Sequence, residues 1–220
     1  MILFLGENMT YGEIKIEALK LMFASTDQVL VEEYIDIYEQ DENFRDYLSA
    51  MPGAINRALA RIEEKRLLAP KTRTFKHHEG ALTAGFIRFD AGVIRDFYDI
   101  ERVVMESEYG EYDGDCDFMR EGNTIVLPRY AEDDGITYTL IYAPKAERVS
   151  SATENENEIC VPEGVAAVIP YFIKGDLFRA DEPNEASEAR NIFEVATDEM
   201  VAKRQGQQTR IKNIYSQVEL

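Results

Sequence analysis

The stretch VPEGVAAVIPYFIKGDLFRADEPNEASEARNIF, residues 161–193, reads as two helices meeting at an acidic, proline-containing corner. The first is predicted from about Pro162 to Ala180, with Val165, Ile169, Phe172, Ile173 and Leu177 on one side. Pro170 falls inside it and predicts a kink. The second is predicted from about Asn184 to Arg204, with Ala189, Ile192, Phe193, Ala196 and Met200 facing inward and Gly206 ending it. The stretch contains neither cysteine nor histidine.

A matching apolar surface exists near the N-terminus. Thr10 and Glu13 in TYGE form a capping box, in which the threonine hydroxyl takes an orphan amide and the glutamate reaches back. Ile14, Ala18, Leu21 and Met22 then share one helical face. A second helix is expected from about Val31 to Leu48, on Tyr34, Ile37, Tyr38 and Phe44, with the polar run QDEN weakening its middle. MPG (51–53) reads as a corner. The third helix, AINRALARIEEKRLL, buries Ile55, Leu59, Ile62 and Leu67 and leaves Arg57 and Arg61 on its polar side.

Between these helical groups the pattern changes to strands. FIRFD alternates, DFYDIERVVMES is rich in aromatic and β-branched residues, and DFMREGNTIVLP reads as a hairpin turning at Gly122–Asn123. GITYTLIYAP places Thr137, Thr139 and Ile141 on one face and Tyr138, Leu140 and Tyr142 on the other. SSATENENE (150–158) reads as a polar loop.

The expected fold is therefore α+β. Three N-terminal helices (residues 1–71) and a C-terminal helical hairpin (161–206) form one bundle, with a β-rich domain (72–160) inserted between them. Neither helical group is large enough to be comfortable alone. Residues 207–220 show no convincing helical stripe and are expected to be an extended tail. Its charge is distinctive: residues 203–218 hold four bases and no acid.

The remainder of the 220-residue chain is strongly acidic, with 42 acids against 24 bases overall and a net charge of −18. Such a surface disfavours binding to nucleic-acid phosphates, which rests on lysine and arginine releasing counterions. Two cysteines make no disulfide scaffold and read as free thiols. MILFLGENMT lacks the basic region and long apolar core of a signal peptide, and no segment approaches the roughly 20 apolar residues of a membrane span.

Motifs for chemistry are sparse. DGDCDF sets Asp113, Asp115 and Asp117 at alternate positions, like the start of a calcium loop. Phe118 and Thr124 then occupy the places where such a loop needs glycine and glutamate. His77 and His78 are adjacent, so on a strand they point to opposite faces and chelate one ion poorly. Glu132, Asp133 and Asp134 read as a charged turn. There is no glycine-rich phosphate loop and no nucleophile elbow. The residues thus suggest neither an enzyme nor a cofactor.

The opening stretch resembles the C-terminal helices of tailed-bacteriophage head–tail connector proteins, the adaptors beneath the portal. The resemblance lies in Pro162-Glu163, Ile169-Pro170-Tyr171-Phe172, Asp181-Glu182-Pro183, and Ala186 followed by Arg190-Asn191-Ile192-Phe193. TYGEIKIEALKLM and MPGAINRALARIEE are similar to that family's first helix and its Ala-Ile-Asn-x-Ala-Leu helix. The order of these motifs carries more weight than any one of them. The resemblance implies a non-catalytic ring, commonly of twelve copies, in the virion neck, binding the portal and other neck or tail proteins while DNA passes through without specific binding. Twelve such chains would carry on the order of −200 charges before screening.

Within that expectation, Ile55, Leu59, Ile62, Ile169, Phe172, Ile173 and Phe193 form the bundle core. Arg210, Ile211, Lys212, Ile214, Tyr215 and Val218 are candidates for docking the tail on the portal or a neighbour. Asp113, Asp115, Asp117, Glu132, Asp133 and Asp134 are candidates for an acidic lumen or interface loops. The alternatives are a stopper or tail-terminator ring component, an acidic DNA mimic that inhibits a host nucleic-acid enzyme, and a two-carboxylate hydrolase.

Overall fold

The computed structural model describes residues 9–23, 30–76, 81–83, 86–107, 114–128 and 136–215. The chain divides into two compact units, one of Met1–Leu67 with Ala146–Leu220 and one of Leu68–Lys145.

The discontinuous unit contains the helices. α1 (Tyr11–Met22) begins at the capping box: the Glu13 amide donates to Thr10 Oγ1 at 3.0 Å, and the Thr10 amide donates to Glu13 Oε2 at 2.7 Å. Two more of its orphan N–H groups, on Tyr11 and Gly12, donate to the carbonyls of Asn157 and Asn155 at 2.8 Å. The polar 150–158 segment is thus a cap for α1. Apart from Ala152 its side chains are polar, so its backbone can meet the helix end.

The helix expected over 31–48 does not form as one piece. A 3₁₀ turn (Glu32–Tyr34) leads into the single-turn α2 (Ile35–Tyr38), and the chain turns again before α3 (Arg45–Glu64). Asp41 makes that break by accepting the Asn43 amide at 2.9 Å, a local bond that competes with helix. Phe44 then turns inward, 3% exposed, edge-on to Phe23 and Tyr38.

MPG, by contrast, is no corner. α3 runs through Pro52, because Leu48, Met51, Ile55, Leu59 and Ile62 form one unbroken buried stripe on both sides of it. The ring removes one donor to the Leu48 carbonyl, and packing outweighs that loss. α3 ends in a Schellman turn: Leu67 N–H donates to the Ile62 carbonyl at 3.1 Å and Arg66 N–H to Glu63 at 2.9 Å. Arg66 occupies the left-handed position at φ 54°, where glycine is usual.

The C-terminal part corrects the expected architecture. Among the described residues no bundle closed by a two-helix hairpin is present. Residues 161–215 form three helices: α4 (Glu163–Ala166, 4 residues), α5 (Ile169–Leu177, 9 residues) and α6 (Pro183–Tyr215, 33 residues). Pro170 kinks nothing, because it lies in the first turn of α5, where a missing N–H costs no hydrogen bond. The short α5 is the centre of the unit and packs against α1, α3 and α6. Gly175 permits the last contact: a Cβ there would stand 3.0 Å from the Ala186 carbonyl oxygen and 3.1 Å from the Arg190 nitrogen. α6 also passes Gly206 without ending, so the extended tail expected from residue 207 is helical as far as Tyr215.

The unit of residues 68–145 consists of two antiparallel four-stranded sheets. β1 (Lys71–Lys76), β8 (Ile136–Pro144), β4 (Phe97–Ser107) and β5 (Gly114–Asp115) form one, in that spatial order. β2 (Ala81–Thr83), β3 (Phe86–Asp90), β7 (Thr124–Pro128) and β6 (Met119–Glu121) form the other. The β6–β7 hairpin turns at Gly122, with φ 62°. Tyr138, Leu140 and Tyr142 face the core, where Phe75 stacks on Phe89 with ring centroids 4.1 Å apart. β8 is followed at Lys145 by the return to the helical unit, so residues 146–160 belong with the helices.

Candidate functional site

α6 carries Phe193 and five of the six tail candidates, and the described part of it has two sides that differ in chemistry. Ala186, Ala189, Phe193 and Thr197 are buried on its inner side. Phe193 meets the Phe172 ring edge-on at 4.9 Å, and the Arg190 guanidinium lies 3.8 Å from the centroid of the same ring.

Beside that core runs a polar seam to α3. Lys65 Nζ lies 2.7 Å from Glu194 Oε2, 2.8 Å from Asp198 Oδ1 and 2.7 Å from Thr197 Oγ1. Arg61 reaches Glu194 at 3.1 Å and Glu64 at 2.8 Å. Burial raises the Glu194 pKa, but the hydrogen bonds from Arg61 and Lys65 outweigh it and hold the carboxyl below its ordinary value. Farther along, Arg57 pairs with Asp176, and Lys174 pairs with Glu185 at 2.6 Å. The arginines expected on the polar side of α3 are thus its ion-pair partners.

The outer side of α6 carries Glu188, Ile192, Val195 and Glu199, spaced as one helical stripe. All four are exposed, Ile192 at 41% and Val195 at 59%. Ile192 was expected to face inward. Thr197 takes the inner position instead, its hydroxyl satisfied by the Phe193 carbonyl at 2.8 Å.

Of the other core candidates, Ile55, Leu59, Ile62, Ile169 and Ile173 are 0% exposed and Phe172 is 2% exposed. Asp115, in β5, is ion-paired to Arg102 at 2.8 Å, and Asp117 is exposed in the segment between β5 and β6. Asp113, Glu132, Asp133 and Asp134 lie outside the described residues, as do His77 and His78. Arg210, Ile211, Lys212, Ile214 and Tyr215 fall on the last turns of α6, and Val218 lies outside the described residues.

Several organising residues were missed because they are polar residues within apolar stripes. Lys15, 5% exposed, bonds Glu39 and Asn155 at 3.0 Å and lies over the Tyr11 ring. Asn56 bonds both backbone groups of Val149, at 2.7 and 2.9 Å. Glu63, 4% exposed, accepts the Ala146 amide at 2.6 Å. A charged or amide residue at a core position of a helix is the signal that finds such anchors, since burial demands a partner.

Among the described residues no group of three or more His, Cys, Asp or Glu side chains could hold a metal ion. A cavity of about 170 Å³ beside Arg148, Thr153, Asn157 and Cys160 is smaller than the roughly 300 Å³ at which ligand pockets begin. Among the described residues no helix is long and apolar enough to cross a membrane. The chain matches no protein-family model and no curated protein.

Proposed function

We propose that the chain is a structural adaptor of a bacteriophage neck, one subunit of a ring beneath the portal through which DNA passes during packaging and ejection. One observation carries this reading. The motif stretches that resemble the connector family are scattered over nearly the whole sequence, yet they fall on α1, α3, α4, α5, the α5–α6 turn and α6, all in a single unit. There α5, with its IPYF start, packs against α1, α3 and α6. Residues far apart in sequence that share a motif order and one core belong to one functional body, and the β-rich unit is an insertion into it.

The charge fits the role. A channel that DNA must traverse works best without phosphate-binding sites along its wall, and a net charge of −18 per chain supplies a repelling field. The test is to mix the purified chain with portal protein and image the product. The expected result is a ring on the portal axis whose lumen is lined by acids more than bases. No complex, or a basic lumen, would refute the proposal.

A further inference from the structure

We infer that the basic edge strand β1 of one copy adds to the acidic edge strand β5 of the next, continuing one antiparallel sheet from copy to copy. The inference rests on the ring reading and names a contact between neighbours in it.

The sheet ordered β1-β8-β4-β5 ends in strands of opposite charge. β1 holds Lys71, Arg73 and Lys76 and no acid, and five of its six side chains are exposed. Arg73 has no ion-pair partner among the described residues. At the other edge Glu106, Asp115 and Asp117 are exposed, and the sequence holds no base between Arg102 and Arg120. Asp115 pairs with Arg102 at 2.8 Å, but the two side chains are 65% and 56% exposed, so water screens the pair and leaves Asp115 available.

The backbone supplies the other half of the argument. An antiparallel strand turns every second residue's N–H and C=O away from its partner, and among the described strands none pairs with the outer side of β1 or of β5. Strand directions alternate through the sheet, so β1 of a second copy laid beside β5 in the same sense as the first runs antiparallel to it. The faces agree as well. Lys76 lies opposite Thr137, which lies opposite Glu106; Thr74 lies opposite Thr139, Val104 and then Asp115. Lys76, Glu106 and Asp115 therefore share one face of the sheet, where a base on an incoming β1 meets acids.

Charge also decides against the other pairings. Two β1 edges would set bases against bases, and two β5 edges acids against acids, so only unlike edges fit. The contact has to be between copies, because β1 and β5 of one chain are three strand spacings apart, about 14 Å. One edge of each kind per copy makes the contact heterologous. It propagates until it closes into a ring or continues as a filament.

Sedimentation velocity on the full chain tests this by charge reversal. Arg73→Glu with Lys76→Glu makes the β1 edge acidic, and Asp115→Lys with Asp117→Lys makes the β5 edge basic. The wild type is expected to form species larger than a dimer as concentration rises. Each variant alone should lose at least tenfold in self-association. An equimolar mixture should regain assemblies larger than a dimer, since every edge then finds its opposite in the other variant. Arg73→Glu alone, a change at an exposed residue, should weaken association in the same direction and repeats the test with the least disturbance of the sheet. A wild type that stays monomeric into the millimolar range or stops at a dimer, an Arg73→Glu chain that assembles normally, or a mixture that recovers nothing would overturn the inference. Portal capture, measured in parallel, separates the two ideas. If the wild type binds portal while its copies do not associate through these edges, only the neighbour contact fails. If charge reversal governs assembly but portal is not captured, only the neck role fails.

Discussion

Glu63 and Arg148 are joined by a hydrogen bond of 2.7 Å between the last full turn of α3 and the chain returning after the β-rich unit. The same carboxylate accepts the Ala146 amide, so one buried side chain fixes the point where the interrupted helical unit resumes. Glu63→Ala should therefore cost more than loss of a surface ion pair. Removing the acceptor orphans the Ala146 amide and releases Arg148, an expected loss of about 2 kcal/mol. Glu63→Gln retains one acceptor and should cost less. Urea unfolding with the m-value held constant measures the difference; equal stability of all three proteins would show that Glu63 is not the anchor.

Glu194 gives the helical seam a pH dependence of known sign. Its carboxyl is held below the ordinary value in the folded chain, so unfolding raises its affinity for protons. The stabilisation is present above the unfolded carboxylate pKa, near 4.3, and is lost as pH falls through the lower folded value. Glu194→Gln should flatten the acid limb of the stability curve. Its effect should be largest near neutrality and vanish in strong acid. Thermal unfolding across pH measures this, and an acid limb identical to wild type would remove Glu194 from it.

Gly175 sets the separation of α5 and α6. Gly175→Ala would press a methyl group against the Ala186 carbonyl and the Arg190 amide, both backbone and unable to turn aside. The expected cost is about 1–3 kcal/mol from overpacking, despite the better helix propensity of alanine. A neutral or stabilising Gly175→Ala in thermal unfolding would mean that the two helices can part at no cost.

The two thiols should react unequally. Cys160 is exposed, whereas Cys116 is buried, and burial followed by the Asp117 charge pushes its pKa up to about 11. With thiolate as the attacking species, a disulfide reagent at pH 8 should label one site rapidly, and Cys160→Ser should remove that fast phase. Rapid labelling of two thiols in the native chain would contradict the burial of Cys116.

Local chemistry was legible in the sequence. The capping box at Thr10 and Glu13, the turn at Gly122 and the alternation from Ile136 to Pro144 each depend on residues a few positions apart, so they need no knowledge of the rest of the chain. The buried stripe of α3 was legible for the same reason. The four-base, acid-free run near the C-terminus is also a property of sequence alone.

Packing decided the rest. Pro52 and Gly206 are breakers by their own chemistry, but α3 and α6 run through them. For α3 the reason is the core on either side, worth more than one missing hydrogen bond. Pro170 starts a helix because α5 is a short centre surrounded by three others, not the middle of a long hairpin arm. The polar 150–158 segment reads as solvent-facing until the bare amides of α1 meet its carbonyls. Ile192 faces out and Thr197 faces in because the phase of α6 is set by the rings and cations of α3 and α5. Local propensities are of the order of 1 kcal/mol per residue, and a shared core outweighs them by summing many contacts that no short stretch of sequence contains.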